Sequence, residues 1–126
     1  MIDDRPRTIV RWVGSSLADL RKFPRPVRRD LGYGLDAAQL GDTDPNAKPL
    51  KGFPGARVLE IRSSHRSDTF RAVYTVQFAE VIYVLHAFQK KSKRGIATPK
   101  KEMDMIKTRL KEAEEIHRAL EKGGER

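Results

Sequence analysis

The stretch that decides the fold is Val81–Lys101, VIYVLHAFQKKSKRGIATPKK. Val81–Gln89 is apolar on both faces, which predicts a central, buried strand. Thr98-Pro99 starts a helix, with threonine suited to the N-cap and proline to the first helical position. Between and after these signals stand Lys90, Lys91, Lys93, Arg94, Lys100 and Lys101, with no acidic residue anywhere in the stretch. Like charges crowded this way repel and destabilise a fold. A polyanion offsets them, and RNA or DNA is the first candidate. Lys100 and Lys101 also fall in the first helical turn, where the macrodipole favours acids.

Moving towards the N-terminus, Thr69–Phe78 (TFRAVYTVQF) alternates cleanly. Phe70, Ala72, Tyr74, Val76 and Phe78 share one face; Arg71, Thr75 and Gln77 share the other. Arg57–Ser63 (RVLEIRS) is a further strand, with Leu59 and Ile61 on one side and Val58, Glu60 and Arg62 on the other. The short connections Ser64–Asp68 and Ala79–Glu80 predict antiparallel hairpins. Gly41–Gly55 reads as a loop. Thr8–Val13 (TIVRWV) reads as a short strand, Leu17–Lys22 as a short helix, and Pro24 to about Leu40 as a second helix that Gly32 and Gly34 weaken. The two helices read together as a hairpin. Towards the C-terminus, Met103, Ile106, Leu110, Ala113, Ile116 and Leu120 form a helical packing stripe, and residues 122–126 form a frayed tail. The fold class expected is α+β in one domain: an N-terminal helical hairpin, a three- to four-stranded antiparallel sheet and a C-terminal helix.

The chain has 126 residues and a net charge of +9. Residues 57–101 hold ten Lys/Arg against three acids, giving +7; residues 1–56 give +3 and residues 102–126 give −1. The excess thus belongs to the sheet and the loop after it. There is no cysteine, so disulfides, thiolate metal sites and a cysteine nucleophile are excluded. His65, His86 and His117 have no metal-ligand spacing. No P-loop, GxGxxG or GxSxG is present, and no cofactor is expected. The N-terminus lacks the apolar run of a signal peptide, and no segment approaches about 18 consecutive apolar residues. A cytoplasmic protein is expected.

The chemistry these residues offer is cationic. Arg62 and Arg71 share a sheet face, and His86 stands near the end of the strand that runs into Lys90 and Lys91. Arginine and lysine hold a phosphate and stabilise charge developing on it, and a group titrating near neutrality moves protons. An RNA substrate carries its own nucleophile, the 2′-hydroxyl. The bland alternatives are that Arg62 and Arg71 pair with Glu60 and Asp68 across a hairpin, and that His86 is a satisfied structural histidine.

PLKGF (Pro49–Phe53), LEIR (Leu59–Arg62), FRAVY (Phe70–Tyr74) and YVLHAFQKKSKRGIATPKKE (Tyr83–Glu102), in this order behind two helices, resemble the phage-derived HigB-like branch of the RelE superfamily of bacterial toxins. The resemblance covers roughly residues 8–120. It implies a ribosome-dependent mRNA endonuclease, cleavage by 2′-hydroxyl attack on the adjacent phosphate, and neutralisation by an antitoxin with a helix-turn-helix domain. Carried over by position, it makes Arg62, Arg71, His86 and Lys91 the catalytic set. Lys51, Lys90, Lys93, Arg94, Lys100 and Lys101 become the RNA-binding set. The competing reading is a non-catalytic phage accessory protein that grips nucleic acid or the ribosome. A DNA-binding regulator fits less well, because the basic region is strand and loop rather than a recognition helix.

Overall fold

A central sheet of five strands carries helices on both faces. The computed structural model describes residues 4–90 and 98–124. In chain order the elements are β1 (Ile9–Trp12), α1 (Ser16–Arg21), α2 (Arg25–Gln39), β2 (Ala47–Pro49), β3 (Val58–His65), β4 (Asp68–Thr75), β5 (Val81–Lys90) and α3 (Lys100–Gly124). The strands lie in the order β1-β5-β4-β3-β2. The α+β class and the C-terminal helix are as expected, but the sheet is larger and not wholly antiparallel. β1 runs parallel to β5, Ile9 opposite Val81 and Trp12 opposite Val84. β2 forms inside the stretch read as a loop, pairing Ala47–Pro49 with Ile61–Leu59. Three residues are too few to show a period, so β2 leaves no mark in the sequence.

The expected N-terminal hairpin is not how the first two helices are used. α1 lies on β5, whereas α2 lies on β3 and β4. Gly34 explains how α2 tolerates its glycines. A Cβ at Gly34 would stand 2.7 Å from Ile61 Cδ1, so glycine sets the close approach of helix and sheet. Leu31, Leu35 and Ala38 of α2 pack there with Ile61, Phe70, Ala72 and Tyr74.

The opposite face of the sheet belongs to α3. Ile106, Leu110 and Ala113 pack on Val58, Val73, Tyr83 and Leu85. The expected stripe holds in this first half and turns aside in the second: Ile116 is 41% exposed and Leu120 43%. His117, four residues after Ala113, faces the sheet instead, stacked on Phe78 with ring centroids 4.1 Å apart and 3.1 Å from the Tyr83 hydroxyl. Phe78 lies past the end of β4 and joins this α3-side cluster, not the face its alternation predicted.

The β3–β4 connection shrinks to Arg66 and Ser67, both with positive φ. That is the two-residue mirror-image turn whose twist suits a hairpin. Register along β4–β5 is interrupted once. Val73 pairs with His86 and Tyr74 with Val84, which leaves Leu85 unmatched. This bulge inverts the facing of β5: Tyr83 and Leu85 look towards α3 before it, and His86 and Phe88 after it.

Candidate active site and nucleic-acid interface

The site grows from three adjacent strands. On β3, the period of two puts Val58, Glu60 and Arg62 on the α3 face. On β4 it puts Arg71 there, directly opposite Arg62 in the register. Two arginines facing each other across a strand pair repel, and Glu60 resolves the conflict. Arg62 Nε donates to Glu60 Oε1 at 2.7 Å, and Arg71 Nη1 donates to Glu60 Oε2 at 3.0 Å. One carboxylate thus binds both guanidiniums by a single N–H each. The Arg71 Nε–H is buried and has no hydrogen-bond partner among the described residues.

Past the bulge, Lys90 lies opposite Thr69, two positions beyond the Phe88–Arg71 pair. Parity brings it to the same face. Burial pushes its pKa down from the usual lysine value, and Arg71 and Arg62 push it further the same way, with Glu60 opposing. The bulge therefore sets the side on which Lys90 stands: without it, Lys90 would turn to the opposite face of the sheet, the one that carries α1 and α2.

A cleft of about 470 Å³ opens over Glu60 and the two arginines, with Lys90 outside its lining. Glu60, Arg62 and Arg71 form part of its wall, Lys48 and Lys51 rise from the β2 side, and Thr98 and Met103 close it at the start of α3. Five basic and acidic side chains with a net positive balance in one concavity suit an anionic ligand. Among the described residues, no group of three or more His, Asp or Glu side chains could hold a metal ion.

His86 lies under the first turns of α3, outside the lining of this cleft. Its Nε2 is 3.2 Å from Glu102 Oε1, and its Nδ1 is 3.1 Å from Arg109 Nη1. A guanidinium only donates, so Nδ1 accepts and Nε2 carries the proton towards Glu102. Burial is the main force lowering the His86 pKa; the Glu102 contact opposes it, and Arg109 adds to it. Arg109 also donates to the Leu85 carbonyl at 3.1 Å and to Ser15 Oγ at 2.8 Å. It thereby ties the bulge, the start of α1 and α3 together.

Of the residues singled out from the sequence, the fold brings Arg62, Arg71, Lys90 and Lys51 to one region. Lys100 and Lys101 are exposed in the first turn of α3, Lys100 pairing with Asp104 at 3.3 Å. Lys91, Lys93 and Arg94 lie outside the described residues. Three participants escaped the sequence reading: Glu60 as the shared partner, Lys48, and Arg109. The arginines were expected to use Glu60 and Asp68 if they paired at all, and Glu60 takes both. Its signal was its parity with Arg62. Lys48 and Arg109 gave none, since β2 and the α1–α3 contact are tertiary.

The class defined by this fold is a small α+β protein with a basic cleft on one face of its sheet. The chain belongs to the family described as Phage derived protein Gp49-like, whose model matches residues 18–111. The phage-derived origin in that description agrees with the resemblance carried by the sequence motifs. Among solved structures, an Escherichia coli toxin RelE mutant in its free state is similar, with 24% identity over 64% of this chain and 81% of that one, at a TM-score of 0.48. No curated protein matches significantly. No helix among the described residues is long and apolar enough to cross a membrane.

Proposed function

We propose that this protein is the toxin of a type II toxin–antitoxin pair and cuts messenger RNA on the ribosome. The observation that supports it best is the buried Glu60 joining two cross-strand arginines in the wall of a cleft flanked by Lys48 and Lys51. Membership of the phage-derived Gp49-like family agrees with it.

In this reading a message lies in the cleft with one phosphate against Arg62 and Arg71. The 2′-oxygen attacks the adjacent phosphorus and the bond from phosphorus to the 5′-oxygen breaks. The 2′-hydroxyl gives up its proton and the leaving 5′-oxygen gains one, so the products are a 2′,3′-cyclic phosphate and a 5′-hydroxyl. The arginines stabilise the charge that builds on the phosphoryl oxygens. Lys90 is buried beside the arginines and outside the lining of the cleft, so it supports the site from behind and does not reach the message. Lys91 stands next to Lys90 in sequence. His86 acts as a positioning residue, since both ring nitrogens are engaged. Lys51, Lys93, Arg94, Lys100 and Lys101 hold the message backbone. The partner that silences the protein is an antitoxin with a helix-turn-helix domain.

The test is induced expression in bacteria of wild type, Arg62→Ala and Arg71→Ala, following growth and mapping cellular mRNA ends. Growth arrest with cuts in translated messages, lost in both folded variants, supports the reading. Normal growth with intact messages from a folded wild type points to a non-catalytic nucleic-acid- or ribosome-binding protein.

A further inference from the structure

We propose that a second cavity, on the face of the sheet opposite the cleft, is a binding site for a small elongated organic acid. Such a ligand has a carboxylate at one end, an apolar middle and a hydrogen-bond acceptor at the other end. The site is independent of the mRNA reading above.

The cavity has a volume of about 320 Å³, inside the range of about 300–1,000 Å³ for small-molecule sites. It lies on the α2 side, between the end of that helix and the strands. Ala38, Leu59, Val76 and Ile82 give it apolar walls. Ala38 and Ile82 are buried, whereas Asp42, Thr43 and Arg57 are exposed and form its mouth.

Tyr74 also lines the cavity and is only 1% exposed. A buried tyrosine hydroxyl ordinarily finds a partner, as Tyr83 does with His117. The Tyr74 hydroxyl has no hydrogen-bond partner among the described residues. Among the same residues, Arg71 Nε is the one buried polar side-chain atom both sealed from solvent and without a partner. The Tyr74 oxygen is therefore not sealed, and the open space it meets is the cavity. Burial and the charge of Asp44 push its pKa up to about 12. The hydroxyl keeps its proton and stands ready to donate.

Arg57 supplies the second unused group. Its φ is 46°, in the left-handed region that disfavours any residue with a Cβ. The backbone is pinned there: Val76 N donates to the Arg57 carbonyl at 3.1 Å, and Thr75 Oγ1 donates to the Ala56 carbonyl at 2.7 Å. Glycine would fit this position with less strain, yet the chain places a guanidinium at the mouth. That guanidinium forms no ion pair with a described residue. Asp42, across the mouth, is occupied by Arg5 at 3.0 and 3.3 Å. An uncompensated cation outside, an apolar middle and a donor at depth match the three parts of the ligand. Inorganic anions would leave the walls and Tyr74 unused.

The experiment is a titration of the isotope-labelled full chain with 4-acetylphenylacetate, following backbone amide resonances. Comparators are its carboxamide, phenylacetate and inorganic phosphate. Variants are Tyr74→Phe, Arg57→Gly and Arg62→Ala. Tyr74→Phe removes a hydroxyl without a partner and Arg57→Gly relieves strain, so both should melt no lower than wild type, which a thermal melt checks. Saturable shifts are expected at Thr43, Tyr74, Val76 and Ile82, with Lys48, Lys51 and Thr98 of the cleft unmoved. Tyr74→Phe should bind the acetyl acid about three- to tenfold more weakly and phenylacetate as wild type does. Arg57→Gly, and the carboxamide with wild type, should each lose at least about tenfold, as for a charge-assisted contact. Arg62→Ala should bind as wild type does. Absence of saturable shifts at the lining residues overturns the proposal. So do shifts centred on Lys48, Lys51 and Thr98, which mark the cleft instead. A folded Tyr74→Phe or Arg57→Gly that binds the acetyl acid as tightly as wild type overturns it too, as does phosphate producing the same shifts at the same concentration.

Discussion

Glu60 and Arg71 are each 3% exposed and meet at 3.0 Å across β3 and β4. A buried carboxylate needs compensation for its lost hydration, and here it binds two guanidiniums, one on each oxygen. The pair is therefore both a structural joint and the part of the site that fixes Arg62 against Arg71.

Replacing Glu60 with Ala leaves the buried Arg71 charge uncompensated. The expected loss is about 3–5 kcal/mol, the range for removing one partner of a buried pair. Denaturant unfolding measures it. A loss below about 1 kcal/mol would mean that solvent reaches Arg71 freely.

His86 makes stability depend on pH. Its folded pKa lies below the ordinary 6.5, chiefly through burial. The unfolded chain then binds the proton more readily than the folded one. The contribution is fully present above about 6.5 and is lost as pH falls from there through the folded pKa. Thermal melts should show the protein losing stability between pH 7.5 and 5.5, and His86→Gln should lose less over that interval. Equal slopes for the two would assign the effect to other groups.

The two glycines of α2 should respond in opposite directions. Gly32 has open space where a Cβ would go, whereas Gly34 has Ile61 atoms at 2.7 and 2.9 Å. Gly32→Ala should stabilise by about 0.4–1 kcal/mol. Gly34→Ala should destabilise by about 1–3 kcal/mol through overpacking, despite its better helix propensity. Melting temperatures of the two single variants decide it.

Along α3 the apolar stripe should divide in two. Leu110→Ala should cost about 2–5 kcal/mol as a core truncation. Leu120→Ala, at an exposed position, should stay within about 0.5 kcal/mol. Equal costs at the two positions would show that the second half of the helix is covered in solution.

Much of this arrangement was legible in the sequence. The alternation in β3 and β4 put Arg62 and Arg71 on one face before any contact was known. The Thr98-Pro99 start and the apolar spacing announced α3. Other features were hidden for identifiable reasons. Periodicity reports one face at a time and cannot register a bulge, so nothing in VIYVLHAFQK marks Leu85 as the unmatched residue. Helical spacing alone did not separate Ile116 and Leu120 from His117, because a hydropathy stripe favours the apolar side chain, while the sheet offered the imidazole a hydroxyl and a ring.

By itself the sequence determined the order of the main elements, the cationic character of the site and the side of the hairpin on which two arginines stand. These follow from local propensity, from the two- and 3.6-residue periods and from net charge, all of which act over a few residues. Only the tertiary structure decided that Glu60 holds both arginines, that Lys90 joins them, and that His86 is held beneath α3 by Glu102 and Arg109. Those outcomes depend on strand register and on contacts such as Ser15 with Arg109, 94 positions apart. The packing of whole faces sets such contacts, and no local pattern records them.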